Sequence, residues 1–169
     1  MDEQIALIEK IKKRILQEDN SEKIYTIILN EICTTSSLPF GEVWLPDENK
    51  VYLKNFVVWD DGNYRLEKFK NFTSLCKFAK GIGLIGKVWQ NKKPMWMDDL
   101  TSAPDFLRNE TAVKCGLKAG FAVPVINGNE VTSVLAFFVS ESRMKNKELS
   151  DRIFMLASLI GELLKERMD

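Results

Sequence analysis

Apolar positions recur along this chain in two periods, and the switches between them mark out its elements. Over Asp2–Gln17, Ile5, Ile8, Ile11 and Ile15 form one stripe at helical spacing, while Glu9, Lys10, Lys12, Lys13 and Arg14 supply the polar side. Asp19 and Glu22 have the spacing of a capping box. They open a second predicted helix, with Ile24, Ile27, Ile28 and Ile32 inward to about Cys33, which Thr34-Thr35-Ser36-Ser37 should end. From Phe40 the period shortens. Val43-Trp44-Leu45 and the run from Val51 to Trp59 predict two strands joined at Pro46-Asp47-Glu48-Asn49. Asp60 to Asn63 composes a turn, and Tyr64 to Phe72 a short helix with Leu66 and Phe69 inward. Phe72 to Lys80 reads as mostly extended, and Leu84 to Gln90 as a short helix closed by Lys92-Lys93-Pro94, since proline disfavours a helical residue before it. Met95-Trp96-Met97 is a short extended piece.

After a loop at Thr101-Ser102-Ala103-Pro104, Phe106 to Lys114 predicts a helix that Gly116 ends. Lys118 to Ile126 and Val131 to Val139 are strands that Asn127-Gly128 joins as a hairpin, because both turn residues take positive φ readily. The second strand is apolar on both faces, which suits a central position covered from two sides. Asn146 to Arg167 closes the chain as a long helix with Asn146 as its cap. Its Leu149, Ile153, Leu156, Ile160 and Leu163 alternate at steps of four and three, while Phe154, Ala157, Leu164 and Met168 add a second stripe. Either one face lies on the sheet and the other on a partner subunit, or both serve one intramolecular core. Short turns between adjacent strands imply an antiparallel sheet. Terminal helices on one face and the middle region on the other give an α+β sandwich.

Gly81-Ile82-Gly83-Leu84-Ile85-Gly86-Lys87-Val88 fits the literal G-x-G-x-x-G of a dinucleotide site, and even the kinase form of it. Neither context is present. The preceding Leu75-Cys76-Lys77-Phe78-Ala79-Lys80 carries two lysines where a buried parallel strand is needed, and Pro94 cuts the following helix short. The glycines instead suit a sharp entry into a short helix.

Composition narrows the chemistry further. The 169 residues suit one domain, with 24 basic against 24 acidic residues and no run long enough to span a membrane. No electrostatic footprint for nucleic acid or an anionic membrane is visible. Cys33, Cys76 and Cys115 are sparse and odd in number, as expected in a reducing cytoplasm. There is no histidine. That removes Ser-His-Asp and Cys-His catalysis, histidine-held zinc or haem, and the commonest general base near neutral pH. No convincing catalytic constellation remains and no metal ligand set stands out, so the expectation is a protein that is not an enzyme.

Several of these pieces together resemble a GAF domain of bacterial signalling proteins. They are Gly81 to Trp89, Pro94-Met95-Trp96-Met97-Asp98-Asp99, Ala112 through Gly116-Leu117-Lys118-Ala119-Gly120-Phe121-Ala122-Val123-Pro124-Val125, and Val134-Leu135-Ala136-Phe137-Phe138. Ile85 stands where the pattern often has proline. The resemblance covers nearly all of residues 1–169 as one domain, with 1–18 and 146–168 as flanking helices. It implies an antiparallel sheet with a ligand cavity on one side and terminal helices on the other, which often pair in a parallel dimer and bias an output domain. Relatives bind cyclic nucleotides, bilins, haem, amino acids or other small molecules. Phe106-Leu107-Arg108-Asn109 replaces the cysteine–histidine pair of the bilin-binding branch, and Cys115 does not fill that position, so no covalent bilin is expected.

The expected site is a cavity between sheet and middle region, ringed by Trp59, Trp89, Trp96, Phe106 and Phe121, with Asp98, Asp99 and Arg108 as polar groups. Plain readings compete at each position: core packing for the aromatics, a turn or cap for the aspartates, a solvated surface for Arg108 and for lysines 87, 92 and 93. Ile5, Ile8, Ile15, Ile153, Ile160 and Leu163 are the expected homodimer contacts. The function so implied is a cytoplasmic sensory domain that binds an unidentified small molecule reversibly, either free-standing or joined to an output domain. The alternatives are a ligand-free dimerisation scaffold and a cysteine-based reductase of free methionine sulfoxide using Cys76 and Cys115.

Overall fold

The computed structural model describes residues 2–103, 106–140 and 147–168. Six strands form one sheet: β1 (Phe40–Pro46), β2 (Tyr52–Asp60), β3 (Lys77–Ala79), β4 (Met95–Met97), β5 (Ala119–Asn127) and β6 (Glu130–Val139). Their spatial order is β3-β2-β1-β6-β5-β4, and every neighbouring pair is antiparallel. Helices α1 (Asp2–Ile15), α2 (Ser21–Ser36) and α6 (Lys147–Met168) lie on one face. The other face is roofed by α3 (Glu67–Thr73), α4 (Gly83–Asn91), α5 (Asn109–Lys114) and the segments between them.

The two-residue period of the strands sorts side chains between these layers. Val43 of β1 and Leu135, Phe137 and Val139 of β6 enter the helix-side core, whereas Phe40, Trp44, Val134, Ala136 and Phe138 enter the roof-side core. A bulge between Val43 and Trp44 leaves Phe56 of β2 opposite no residue of β1, so Phe56 and Val57 both join the helix side. On the helix side three isoleucines of the predicted α1 stripe, Ile8, Ile11 and Ile15, are buried, whereas Ile5 is 52 % exposed. α1 and α6 run parallel, since Gln4 Nε2 donates to the carbonyl of Arg152 and Arg167 Nη2 to that of Glu18. Glycines set the closest approaches. A Cβ on Gly41 would stand 2.9 Å from Cys33 Sγ, so its absence seats α2 on β1.

Several boundaries depart from expectation. Asn20, not Asp19, caps α2, accepting from the Lys23 N–H at 3.0 Å. That helix runs through Thr34 and Thr35 to Ser36 and ends on Ser37 in the left-handed region, donating to Cys33 O. Between Phe72 and Lys80 only Lys77–Ala79 is a strand. The helix expected from Phe106 begins at Asn109, leaving Phe106 to Arg108 in turns. Asn146, the expected cap of the last helix, lies outside the described residues.

Candidate functional site

β1 is an apolar run, Phe-Gly-Glu-Val-Trp-Leu-Pro, interrupted by one charge. Parity puts Glu42 on the roof side between Phe40 and Trp44, where it is wholly buried. A carboxylate in such surroundings demands a partner, and Arg108 supplies it from the turn before α5. Both guanidinium amines donate to Glu42, Nη1 to Oε2 and Nη2 to Oε1, the latter at 3.1 Å. Nη1 also donates to Thr73 Oγ1 at 2.8 Å, and the Trp44 indole N–H donates to Glu42 Oε1 at 2.8 Å. Around this fork stand five rings. The guanidinium carbon lies 4.9 Å from the centroid of Phe69, 5.2 Å from Phe138, 5.3 Å from Trp44 and Phe106, and 5.6 Å from Phe78. All are within cation–π range. Arg108 is 1 % exposed, and its Nε has no hydrogen-bond partner among the described residues.

The roof-side chamber is thus a cation held by a bidentate carboxylate inside an aromatic box. Of the residues expected from sequence, only Phe106 and Arg108 meet there, and Arg108 is a buried ion-pair partner rather than a solvated side chain. Trp89 is buried on the same side of the sheet, with Lys80 Nζ 5.0 Å above its ring. Trp59, Trp96 and Phe121 do not border this chamber: they face the terminal helices. Pairing dictates this, because Trp96 sits opposite Phe121 across β4 and β5 and their rings stack at 4.9 Å, while Trp59 sits opposite Gly41. Trp59 borders a cleft of about 430 Å³ with Cys33, Ser37 and Asp61.

Asp98 and Asp99 are exposed. Asp99 accepts from the Thr101 N–H at 2.9 Å, the Thr101 hydroxyl, and the Ser102 hydroxyl at 3.0 Å, closing the turn after β4. These donors, the Thr101 hydroxyl foremost, hold its carboxyl below the usual carboxylate range. A depressed folded-state value stabilises above the unfolded value, and that stabilisation is lost as pH falls through the folded one. In a carboxyl-carbon NMR titration Asp99 is expected to titrate below an ordinary aspartate, and Thr101→Val to raise its midpoint. An Asp99 midpoint unmoved by that substitution contradicts the assignment.

Glu42, Thr73, Trp44, Phe69, Phe78 and Phe138 complete the chamber but are not among the residues expected from sequence. A usable signal exists for one: Glu42 is the only charge in β1. Two of the three thiols lie in surroundings that oppose ionisation. Burial raises the Cys33 thiol far above its ordinary range and also raises Cys76, whose Sγ lies 3.3 Å from the carbonyl of Phe72. Both shifts disfavour the thiolate that exchange chemistry requires. Among the described residues no group of three His, Cys, Asp or Glu side chains is placed to hold a metal, and no helix is long and apolar enough to cross a membrane.

Of the expected dimer contacts, Ile8, Ile15, Ile153, Ile160 and Leu163 are buried in the chain's own core, because α1 and α6 turn these stripes onto the sheet. Only Ile5 is exposed. Leu16 and Met155 are exposed with it, and Phe154 and Leu159 are partly covered.

Comparison with known proteins fits this architecture. The family model described as GAF domain matches residues 18–165. No functionally curated protein matches the sequence. Among solved structures, the GAF domain of A. Aeolicus nlh2 in an inactive state shares 20% identity, with a TM-score of 0.72 over 97% of this chain and 96% of that one. The GAF domain of a Coxiella burnetii phosphoenolpyruvate-protein phosphotransferase shares 15%, with a TM-score of 0.77 over 96% and 93%. A free methionine-R-sulfoxide reductase from Neisseria meningitidis, solved with its substrate, shares 12%, with a TM-score of 0.74 over 94% and 86%. At these identities the likeness is one of fold.

Proposed function

From the premise that this chain belongs to the GAF domain family, we propose that it is a cytoplasmic regulatory domain that binds a small molecule in the roof-side chamber and biases a dimer of its terminal helices. The observation that carries this reading is the convergence of Glu42, Arg108 and Thr73 inside an aromatic box, since apolar walls with a few fixed polar groups are the usual form of a ligand site. The route to the helices is short. Glu42 lies between Gly41 and Val43, whose backbone and side chain meet α2 and the helix-side core, and Phe138 lies beside Phe137 in the same way. A shift of β1 or β6 on one face is therefore felt on the other. An occupant biases the helices only if it binds two packings with different affinity.

The dimer surface in this reading runs along Ile5, Met155 and the partly covered Phe154 and Leu159, rather than the buried isoleucines. The cytoplasmic assignment draws on three free cysteines. Native mass spectrometry of freshly purified protein tests both halves at once. A retained small mass and a two-subunit ion are expected, and Met155→Asp should leave the mass bound while shifting the protein to monomer. Protein that stays monomeric at all concentrations and carries no added mass, alone or with cell metabolite extract, defeats the reading in favour of a filled, silent core. Dimer without any bound mass supports the scaffold alternative.

A further inference from the structure

The chamber has the chemistry of a receptor whose own chain supplies the guest. Five rings, a bidentate carboxylate and a hydroxyl surround one guanidinium, so every polar or quadrupolar group converges on a cation. Packing alone does not explain this choice. Apolar side chains of similar volume fill a protein interior as well as a buried ion pair or better, and here Arg108 Nε is left without a partner among the described residues. The guest also arrives on a connecting segment. Arg108 is carried by turns between β4 and the six-residue α5, not by a strand of the sheet, and its neighbour Leu107 is 60 % exposed. Among the described residues that segment is fastened back through the Leu100 N–H to the Lys118 carbonyl, Asn109 Nδ2 to the Leu100 carbonyl, the Phe106 N–H to the Ala103 carbonyl, and the burial of Leu100 and Phe106 in the roof-side core. Glu42, by contrast, sits in a strand paired on both sides. The carboxylate thus belongs to the sheet and the cation to a segment outside it.

We propose that the chamber is a binding site for a small organic cation, a guanidinium or alkylammonium compound, and that Arg108 is its resident occupant, displaced when the external cation enters. This rests on the regulatory reading above and names the ligand class for that site. Displacement exchanges one ion pair for another. The incoming cation takes over the Glu42 carboxylate and the five rings, while the Arg108 side chain alone withdraws into water, where its charge is well solvated, and the buried Phe106 ring stays in the wall.

The test vacates the site and refills it. Arg108→Ala is titrated with methylguanidinium at about 1–10 mM, far below the molar range in which guanidinium denatures, by calorimetry and thermal melting. Saturable binding and a rise in Tm are expected, with at least about tenfold weaker binding of methylurea, which has a similar shape without the charge. The double variant Glu42→Gln, Arg108→Ala should lose the preference for the cation. If Arg108→Ala is unfolded by itself, methylguanidinium must restore its circular dichroism signal and methylurea must not. In the wild-type protein, agmatine should shift the Arg108 Nε–Hε NMR signal from a slowly exchanging to a solvent-exchanging position. Equal binding of cation and neutral isostere, or no binding and no refolding, overturns the proposal. So does a wild-type Arg108 signal unmoved by agmatine, which makes the pair purely structural. If native mass spectrometry shows a retained neutral or anionic molecule while these titrations fail, the regulatory reading stands and only the ligand class is wrong.

Discussion

Glu42→Gln is expected to destabilise the protein by about 3–5 kcal/mol in urea denaturation, because it leaves the Arg108 charge buried without a counterion. Arg108→Met, which strands the carboxylate, should cost about as much. The informative variant is the pair of changes together. With Glu42→Gln and Arg108→Met combined no net charge remains inside, and the amide carbonyl introduced at position 42 can still accept from the Trp44 indole, which donates to Glu42 Oε1 at 2.8 Å in the wild-type chain. The double variant should therefore lose less than either single one, so the coupling is at least the smaller single loss, about 3 kcal/mol. Single variants within about 1 kcal/mol of wild type, or strictly additive losses, would show that the chamber is wet and the pair weak.

The second large effect is expected at Gly86. Helix propensity alone favours alanine over glycine in α4 by about 1 kcal/mol. Sterics decide the other way, for a Cβ there would stand 2.1 Å from the carbonyl oxygen of Ala79, a backbone atom with nowhere to go. The same corner is closed by the Gly81 N–H donating to the Gly86 carbonyl at 2.8 Å, with Gly81 at φ +80° and Gly83 at φ +67°. Gly86→Ala should thus cost about 2–3 kcal/mol or prevent folding. Gly116→Asn is the comparison. That glycine has positive φ, but a Cβ there would meet no atom within 4 Å, and asparagine tolerates the left-handed region, so a loss under about 1 kcal/mol is expected. A smaller loss at Gly86 than at Gly116 would contradict this. The glycines that imitate a nucleotide-binding loop are thereby explained by backbone packing between β3 and α4.

What is legible in the chain follows from periodicity and local turn chemistry. Ile8, Ile11 and Ile15 of the α1 stripe and the inward Leu66 and Phe69 appear where spacing puts them. The expected hairpin forms, but it turns on Gly128-Asn129, with Gly128 at φ +66° and Asn127 paired with Glu130 as the last residue of β5. Face assignment is not legible. When a sheet is covered on both sides its strands are apolar throughout, and alternation no longer says which residues look toward which layer. The expectation of a roof-side position for Trp59, Trp96 and Phe121 fails for that reason, and the register of β4 on β5 and of β2 on β1 puts them under the helices. The centre of the chamber is harder still, because Glu42 and Arg108 are 66 positions apart and neither has a local reason to be buried. Only the lone charge in β1 hints that something distant must answer it. The bulge at Phe56 is a further case, where one extra residue changes parity without a glycine or proline to announce it.

The parallel course of α1 and α6 has a geometric consequence for how this domain can be wired. The first turn of α1 lies beside Arg152, near the start of α6, and α6 then continues to Met168. Its 22 residues span roughly 30 Å at helical rise. Dyes attached near Asp2 and Met168 would therefore sit at opposite poles, and energy transfer between them would read any sliding of one rod along the other as a change in distance.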